Sequence, residues 1–279
     1  MPAAFFAADL HGHHDRYDKL LEAIGRERPA AVFLGGDLLP HAMSSPDFLD
    51  DYLLPRLEEL RARLGTAYPR VFVILGNDDA RVEEAAVEAA GARGVWEYVH
   101  DRRIAWGAFD VFGYACVPPT PFRLKDWERY DVSRFLEPGC VAPEEGWHTV
   151  PVAERELRHG TIREDLERLA AGTDVHRAVF LFHAPPYDSA LDRAALDGQT
   201  VDHAPLDVHV GSIAVRRFIE ARQPLLTLHG HVHESARLTG RWRDQIGRTH
   251  AFGAAHDGPE LALIRFDPDD LPSASRDLL

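Results

Sequence analysis

The sequence predicts an α/β layered fold. Short apolar segments alternate with segments in which apolar residues recur at intervals of three and four, the spacing of one helix face. This strand–loop–helix repeat is typical of layered α/β proteins, which bind ligands beyond the carboxyl ends of their strands. The predicted strands span residues 3–8, 30–34, 71–75, 109–114, 178–182, 225–228 and 261–266, and the predicted helices span 15–28, 47–64, 81–90, 162–171 and 212–221.

The helix predicted over 47–64 has the clearest periodicity. Its leucines recur at three and four residues, as Leu49, Leu53, Leu57, Leu60 and Leu64. The Ser45–Pro46 pair before it is a typical start signal. We therefore expect one apolar helix face packed on the sheet.

Two irregular segments interrupt the alternation. Residues 116–160 contain six prolines and two of the five tryptophans without clear periodicity, and residues 184–210 are rich in Asp and His. We interpret 116–160 as an insertion in a single domain of residues 1–279, either a surface excursion packed by its own aromatic residues or a lid over substrate. Residues 268–279 are predicted to be a frayed terminus.

Composition excludes several classes of protein. The chain has 279 residues, 45% of them hydrophobic, which is ordinary for a globular protein with a buried core. No apolar run reaches the length of a membrane span, and the N-terminus lacks the basic region of a signal peptide. Two cysteines cannot form a disulfide framework, so we expect a cytoplasmic protein. The net charge of −14 argues against nucleic acid as a partner.

Residues with metal-ligating side chains follow the predicted strands. Asp, Asn and His are donors that suit borderline divalent metals, and residues two apart in extended backbone point to the same side. Five strand ends carrying such residues indicate one shared metal site. They read Asp9-Leu10-His11, Gly36-Asp37, Gly76-Asn77-Asp78-Asp79, Phe182-His183 and His229-Gly230-His231-Val232-His233.

These motifs resemble those of the calcineurin-like metallophosphoesterases, in order and spacing, across residues 9–233. The resemblance implies a four-layer αββα sandwich, with one metal held by Asp9, His11 and His233, a second by Asn77, His183 and His231, and Asp37 bridging both. The stretches HAPPYDSALD and VGSIAVRRFIE are most similar to the bacterial and archaeal branch of predicted soluble phosphoesterases. The Ser/Thr phosphatase branch expects Asp-Arg-Gly soon after Gly-Asp, where this chain has Leu38-Leu39-Pro40-His41.

The predicted chemistry is hydrolysis of a phosphodiester or phosphomonoester by hydroxide activated at two divalent ions of Mn, Fe, Ni or Zn. Two such ions, two ligand carboxylates and one bridging hydroxide leave the centre with a charge of about +1. A compact positive centre in an acidic protein suits a small phosphorylated substrate. The sequence makes no prediction of oligomeric state.

One position departs from the family pattern. The residue after the ligand Asn is usually His, which protonates the leaving group, but this chain has Asp78. Asp78 is then a general acid of raised pKa, or it orients a neighbour such as Asp79 or His13, or the leaving group needs little help from an acid. We therefore name Asp78 and His13 as the candidate catalytic residues, with His41 also near the ligand loops.

The sequence is also compatible with other functions of the same fold. The chain is alternatively a pyrophosphate-bond hydrolase or a nuclease of the same fold, although its nearest basic, aromatic stretch, 122–129, also contains acidic residues. A binding or scaffold module that has lost turnover is the non-enzymatic alternative.

Two further polar residues are expected to have structural positions and no role in the metal site. His100 is predicted to be a solvated surface residue. Ser212 is predicted to cap the helix that follows it, rather than to join Gly211 in an anion site.

Overall fold

Two six-stranded sheets form the centre of the structure, a computed structural model that describes residues 4–41, 44 and 47–279. With strands numbered in chain order, the first sheet contains β1 (Ala4–Ala7), β2 (Ala31–Gly35), β3 (Arg70–Ile74), β4 (Glu97–Tyr98), β13 (Ala262–Phe266) and β14 (Ser275–Leu278). The second contains β5 (Arg102–Trp106), β6 (Phe109–Tyr114), β7 (Ala178–Phe182), β10 (Leu226–His229), β11 (Arg243–Ile246) and β12 (Thr249–Gly253). A separate hairpin pairs β8 (Thr200–Val201) with β9 (Ala204–Pro205).

Both sheets are mixed, with parallel strands at their centres. The first has the order β14-β13-β1-β2-β3-β4, in which β1 to β4 are parallel and β13 pairs antiparallel with both β1 and β14. The second has the order β11-β12-β10-β7-β6-β5, in which the four middle strands are parallel and the two edge strands antiparallel. Parallel pairing brings the carboxyl ends of neighbouring strands to the same edge, and the loops that carry the predicted ligands start there.

Helices flank the two sheets, as the sequence predicts. They are α1 (His14–Glu27), α2 (Leu54–Leu64), α3 (Glu84–Ala92), α4 (Glu154–His159), α5 (Ile162–Leu169), α6 (Ile213–Arg222) and α7 (Ser235–Thr239). Every residue of β1 and β2 is buried, so both faces of the first sheet are covered. The ring of Phe33 on β2 lies 5.4 Å from that of Trp106 on β5, and Phe180 on β7 packs on Phe218 of α6. The result is a sandwich of helices, sheet, sheet and helices.

The strands and helices predicted from the sequence are all observed, and the structure adds further short elements. The helix predicted over 47–64 begins with a π-helical turn, Leu49–Leu53, before α2, and its predicted start signal at 45–46 lies outside the described residues. The strands and α-helices that were not predicted, apart from β14, are two to six residues long: β4, β5, β8, β9, β11, β12, α4 and α7. The prediction of a frayed terminus is wrong, because β14 pairs with β13 and Arg265 of β13 binds Asp277 of β14.

No helix among the described residues has the length and hydrophobicity needed to cross a bilayer.

The segment 116–160 packs against the sheets with little regular structure. Trp127 and Tyr130 are fully buried within it, and the Asp126 carboxylate accepts hydrogen bonds from the backbone of Arg81, in the loop after β3, and of Thr149. Asp131 accepts from the first two amides of α6. Carboxylates of this segment thereby support two of the loops at the sheet edge.

The cap predicted at Ser212 is confirmed. Its hydroxyl oxygen accepts a hydrogen bond from the amide of Val215, 3.0 Å away, and its hydroxyl donates to Asp131. The negative charge at this helix end is therefore supplied by the protein itself.

The segment 116–160 also contains a buried ion pair between Lys125 and Glu128, whose side chains are both fully excluded from solvent. The Lys125 ammonium also donates to the carbonyl of Thr120, and the Glu128 carboxylate accepts from the hydroxyl and amide of the same threonine. Burial lowers the pKa of Lys125 and raises the pKa of Glu128, and each charge opposes the shift in the other. The attraction between the two charges is therefore the main term that offsets the free energy lost when each of them leaves water.

Removing one member of this pair should therefore destabilise the protein strongly. We expect Lys125→Met to lower the free energy of unfolding by about 3–5 kcal/mol, because Glu128 is left as an unpaired buried charge. The double variant Lys125→Met/Glu128→Gln should recover much of that loss. Urea denaturation measures both, and Lys19→Met, in the exposed pair with Asp15, is the control, with a change below about 1 kcal/mol. A loss no larger than the control's would contradict the expectation.

His100 is half-buried, which contradicts in part the prediction that it is a solvated surface residue. Its Nδ1 accepts a hydrogen bond from the amide of Ala115, 3.0 Å away, and its ring packs edge-on against Trp127. Burial lowers the pKa of His100 to about 3, assisted by the positive charges of Arg81, Arg129, Arg102 and Arg168. The folded protein therefore holds this imidazole neutral.

Acid should weaken the fold through His100. Its pKa is lower in the folded state than the value of about 6.5 in the unfolded chain, so between about pH 6.5 and pH 3 the unfolded chain binds a proton that the folded one excludes. The stabilisation is present above pH 6.5 and is lost as the pH falls, by up to about 1.4 kcal/mol per pH unit. His100→Asn keeps an acceptor for Ala115 and cannot titrate. Between pH 7 and pH 5 the urea midpoint should fall less for this variant than for the wild type. An equal fall in both proteins would refute this assignment.

Candidate metal centre

The predicted ligands lie in loops that leave the carboxyl ends of parallel strands. In chain order, Asp9 and His11 follow β1, Asp37 follows β2, Asn77 follows β3, His183 directly follows β7, and His231 and His233 follow β10. The first three strands belong to one sheet and the last two to the other. The site therefore lies where the same edge of both sheets meets.

The first group of ligand atoms comes from Asp9, His11, Asp37 and His233, and all four lie within 4.8 Å of one another. The Nε2 atoms of His11 and His233 are 3.2 Å apart. Asp9 Oδ1 lies 3.3 Å from His233 Nε2, and Asp37 Oδ2 lies 3.9 Å from His11 Nε2. These are the four side chains that the resemblance assigns to one metal.

The second group contains Asp37, His183 and His231, with ligand atoms again within 4.8 Å of one another. His183 Nε2 lies 3.3 Å from Asp37 Oδ2 and 3.0 Å from the side-chain oxygen of Asn77, which brings Asn77 into the same group. Asp37 is common to both groups. The structure thus brings all seven predicted ligands together, in the two sets expected from the sequence.

Four of the seven have left-handed backbone, with φ between 47° and 75°: Asp9, His11, Asp37 and His231. This conformation is uncommon for residues other than glycine and costs about 1–3 kcal/mol at each position. The strain comes from chain segments that turn sharply as they leave the strands. Such strain concentrates at functional sites, where it fixes the direction of side chains.

Two glycines allow the ligand loops to approach closely. A Cβ atom on Gly36 would lie 2.6 Å from Nδ1 of His183, and one on Gly76 would lie 2.3 Å from Oδ1 of Asp37. Both distances are far below van der Waals contact. The glycines before Asp37 and Asn77 are therefore required by packing among the ligands themselves.

The donor set fits divalent cations. Asp9 Oδ2 is buried with no hydrogen-bond partner among the described residues, and the Nε2 atoms of His11 and His233 face each other. Two ring nitrogens at this distance repel unless a proton or a cation lies between them. His183 donates from Nδ1 to the carbonyl of Gly35, 2.8 Å away, which leaves the lone pair of its Nε2 for a metal.

The charges of the site also favour a bound cation. Burial alone would lower the pKa of His183, but the charges of Asp37 and Asp9 raise it to about 10. Burial likewise opposes protonation of His233, whose pKa the hydrogen bond and charge of Asp9 raise to about 9. Two buried carboxylates thus attract positive charge to this point, whether protons or metal ions provide it.

Asp78 lies beside the site and contacts histidines. Its Oδ2 is 3.6 Å from Nδ1 of His11 and 3.3 Å from Nδ1 of His41, and its amide donates to Oδ1 of Asp37 over 2.8 Å. Burial and the negative charge of Asp37 raise the pKa of the Asp78 carboxyl group. This position agrees with the general acid considered from the sequence. The side chains that Asp78 contacts are His11 and His41, whereas the sequence named Asp79 and His13 as the neighbours that it would orient.

His13, the second catalytic candidate, caps the start of α1 with its backbone, and its ring is exposed. Burial and the positive charges of Arg16, His11 and His41 lower its pKa. The structure thus places His13 near the site, and its role stays a prediction.

Arg16 was not singled out from the sequence. Its guanidinium donates to the carbonyl of Asp9 over 2.5 Å and to that of Gly258 over 2.6 Å, and the residue is buried. It thereby holds the strained loop after β1. The pattern of α1 contains no sign of this role, because an arginine in the first turn of a helix is ordinary.

Asp79 connects two ligand loops. Its buried carboxylate accepts hydrogen bonds from the amides of Leu38 and Leu39, after Asp37, and from the amide of Gly76, before Asn77. Burial and the charge of Asp37 raise its pKa to about 7, against these hydrogen bonds. The loops that carry Asp37 and Asn77 are fixed to each other through this side chain.

Removing this carboxylate should loosen the site and the fold together. Asp79→Ala leaves three buried amides without acceptors, and we expect it to lower the free energy of unfolding by about 3 kcal/mol or more. Urea denaturation of metal-free protein measures the change. Asp174→Ala, an exposed turn residue, is the control, with a change near zero. Equal stability of the two variants would show that Asp79 does not support these loops.

Comparison with known proteins agrees with the observed fold. Residues 4–235 match the family model described as calcineurin-like phosphoesterase. The sequence matches no curated protein at a significant level. Among solved structures, the protein TT1561 of Thermus thermophilus is similar with a TM-score of 0.55 and 18% identity, over 99% of this chain and 97% of that one.

Two further solved structures are similar over most of their length. A dimetal phosphatase from Danio rerio has a TM-score of 0.53 and 15% identity, over 95% of this chain and 93% of its own. A phosphopantetheinyl hydrolase from Mycobacterium tuberculosis has a TM-score of 0.54 and 13% identity, over 91% and 90%. At these identities the likeness concerns the fold.

Proposed function

Because the chain belongs to the calcineurin-like phosphoesterase family, we propose that it is a metal-dependent hydrolase of phosphate esters, a phosphodiesterase or phosphomonoesterase that works with two divalent ions. The observation that carries this proposal is the position of Asp37, whose carboxylate belongs to both groups of donor atoms. A shared carboxylate is what a pair of neighbouring cations requires.

Each ion has its own set of side chains in this proposal. Asp9, His11 and His233 would hold one and Asn77, His183 and His231 the other, with Asp37 between them. When bound, the ions would supply a nucleophile from water at neutral pH and positive charge against the phosphoryl group. Nitrogen and oxygen donors in this combination suit Mn, Fe, Ni or Zn.

The residues of the chain hold this donor set in place. Gly35 fixes the tautomer and direction of the His183 ring through its carbonyl. The amide of His231 donates to Oδ1 of Asp9 over 2.9 Å, so a ligand of one group positions a ligand of the other. The preformed geometry means that little reorganisation is needed when metal and substrate bind.

The proposed substrate is a small phosphorylated compound. The protein carries a net charge of −14, so a long polyanion would be repelled over most of the surface, whereas one phosphate group at a metal centre is attracted locally. Asp78 in place of the usual His favours an ester or anhydride with a good leaving group, and a pyrophosphate bond is therefore the second candidate.

A substrate panel tests the proposal. We expect the protein reconstituted with Mn²⁺ to hydrolyse at least one of bis-p-nitrophenyl phosphate, p-nitrophenyl phosphate and pyrophosphate. Asp37→Asn and His231→Ala should each lower kcat/KM by about 100-fold or more, since a loss of about 1.4 kcal/mol in transition-state stabilisation costs a factor of ten.

The matched control is His176→Ala, an exposed histidine near the opposite end of the strand that carries His183, and its activity should equal that of the wild type. Metal content is measured on the same samples. Metal binding without hydrolysis of any ester would favour the binding-module alternative, and absence of bound metal would refute the proposal.

A further inference from the structure

Three neighbouring side chains become more exposed from the buried ligand groups to the protein surface, which forms the entrance to the site. His11 is nearly buried, with 10% of its side chain exposed, Asp78 is 27% exposed and His41 is 74% exposed. Asp78 Oδ2 lies 3.6 Å from Nδ1 of His11 and 3.3 Å from Nδ1 of His41, so one carboxylate oxygen faces both rings. Of the three, only His11 is a metal ligand in the proposed function.

The inner contact follows from the tautomer of His11. Its Nε2 faces His233 and Asp37 and must present a lone pair there to act as a ligand. The hydrogen of the neutral ring is then on Nδ1, which is buried and has no hydrogen-bond partner among the described residues. Asp78 Oδ2 is 3.6 Å from this nitrogen, an ion-pair distance just beyond the range of a hydrogen bond.

The outer contact joins Asp78 to an exposed ring. Asp78 Oδ2 lies 3.3 Å from Nδ1 of His41, an ion-pair distance, so Nε2 is the nitrogen of that ring that we expect to contact the substrate. The loop that carries Asp78 does not depend on its side chain, because the Asp78 amide is bonded to Asp37. A carboxylate here would repel a phosphate group, but its charge is directed at two imidazoles.

We propose that Asp78 is a positioning residue with two partners: it orients the metal ligand His11 and presents His41 at the entrance as a substrate-contacting side chain. The proposal rests on the proposed function, and it places a histidine of another loop, His41, next to the position where the family usually has His. A carboxylate that accepts from the second nitrogen of a metal-bound imidazole raises metal affinity, by about 10–100-fold in measured cases.

Metal titration tests the inner contact without any assay of hydrolysis. Calorimetric titration of the metal-free protein with Mn²⁺ should give a dissociation constant about 10–100-fold higher for Asp78→Asn than for the wild type. His41→Ala and the control His176→Ala should bind Mn²⁺ as the wild type does. Unchanged affinity in Asp78→Asn would overturn this half of the proposal, even if the protein hydrolyses no ester.

A double-variant cycle at saturating Mn²⁺ tests the outer contact. We expect His41→Ala and Asp78→Asn to lower kcat/KM by similar factors of about 10–100, and the double variant to be no slower than His41→Ala, because Asp78 would act on the substrate only through His41. Multiplicative effects in the double variant, or a fully active His41→Ala, would overturn this half. Failure of the wild type to hydrolyse any ester would count against the proposed function, and the metal titration would still decide the contact with His11.

Discussion

The arrangement of the site depends on the contacts of the Asp37 carboxylate. It is fully buried between ligand atoms from both sheets, and it belongs to both groups of donors. A buried charge of this kind is stable only with close positive partners. The neighbouring imidazoles provide them in part, and the glycines before Asp37 and Asn77 let the loops come near enough. The fold brings two sheet edges together around this one group.

Much of the candidate site could be predicted because its ligand residues directly follow the ends of strands. An apolar strand followed by Asp or His is a local signal, and several such signals predict one location once the strands are parallel. The seven predicted ligands accordingly lie together. The order of the strands could not be predicted, nor could β14, whose polar sequence becomes a strand only because β13 offers an edge to pair with.

Contacts between distant loops could not be predicted either. Nothing in the sequence relates Asp78 to His41, since their loops follow different strands and meet only in the folded chain. The same holds for Arg16, which supports Asp9 from inside a helix, and for His100, whose burial depends on how the segment 116–160 packs. Local patterns indicate which residue types are present, while tertiary packing decides which of them meet.

Two carboxylates of the segment 116–160 restrict which other segments could replace it. Asp126 is bonded to the loop after β3, and Asp131 to the start of α6, so this segment is fastened to the same edge that holds the donor atoms. Exchanging it for a shorter or longer segment would leave amides without acceptors in the loop after β3 and at the start of α6. Any replacement must bring carboxylates to the same two points, which limits the shapes that selection or an engineer can build over this edge.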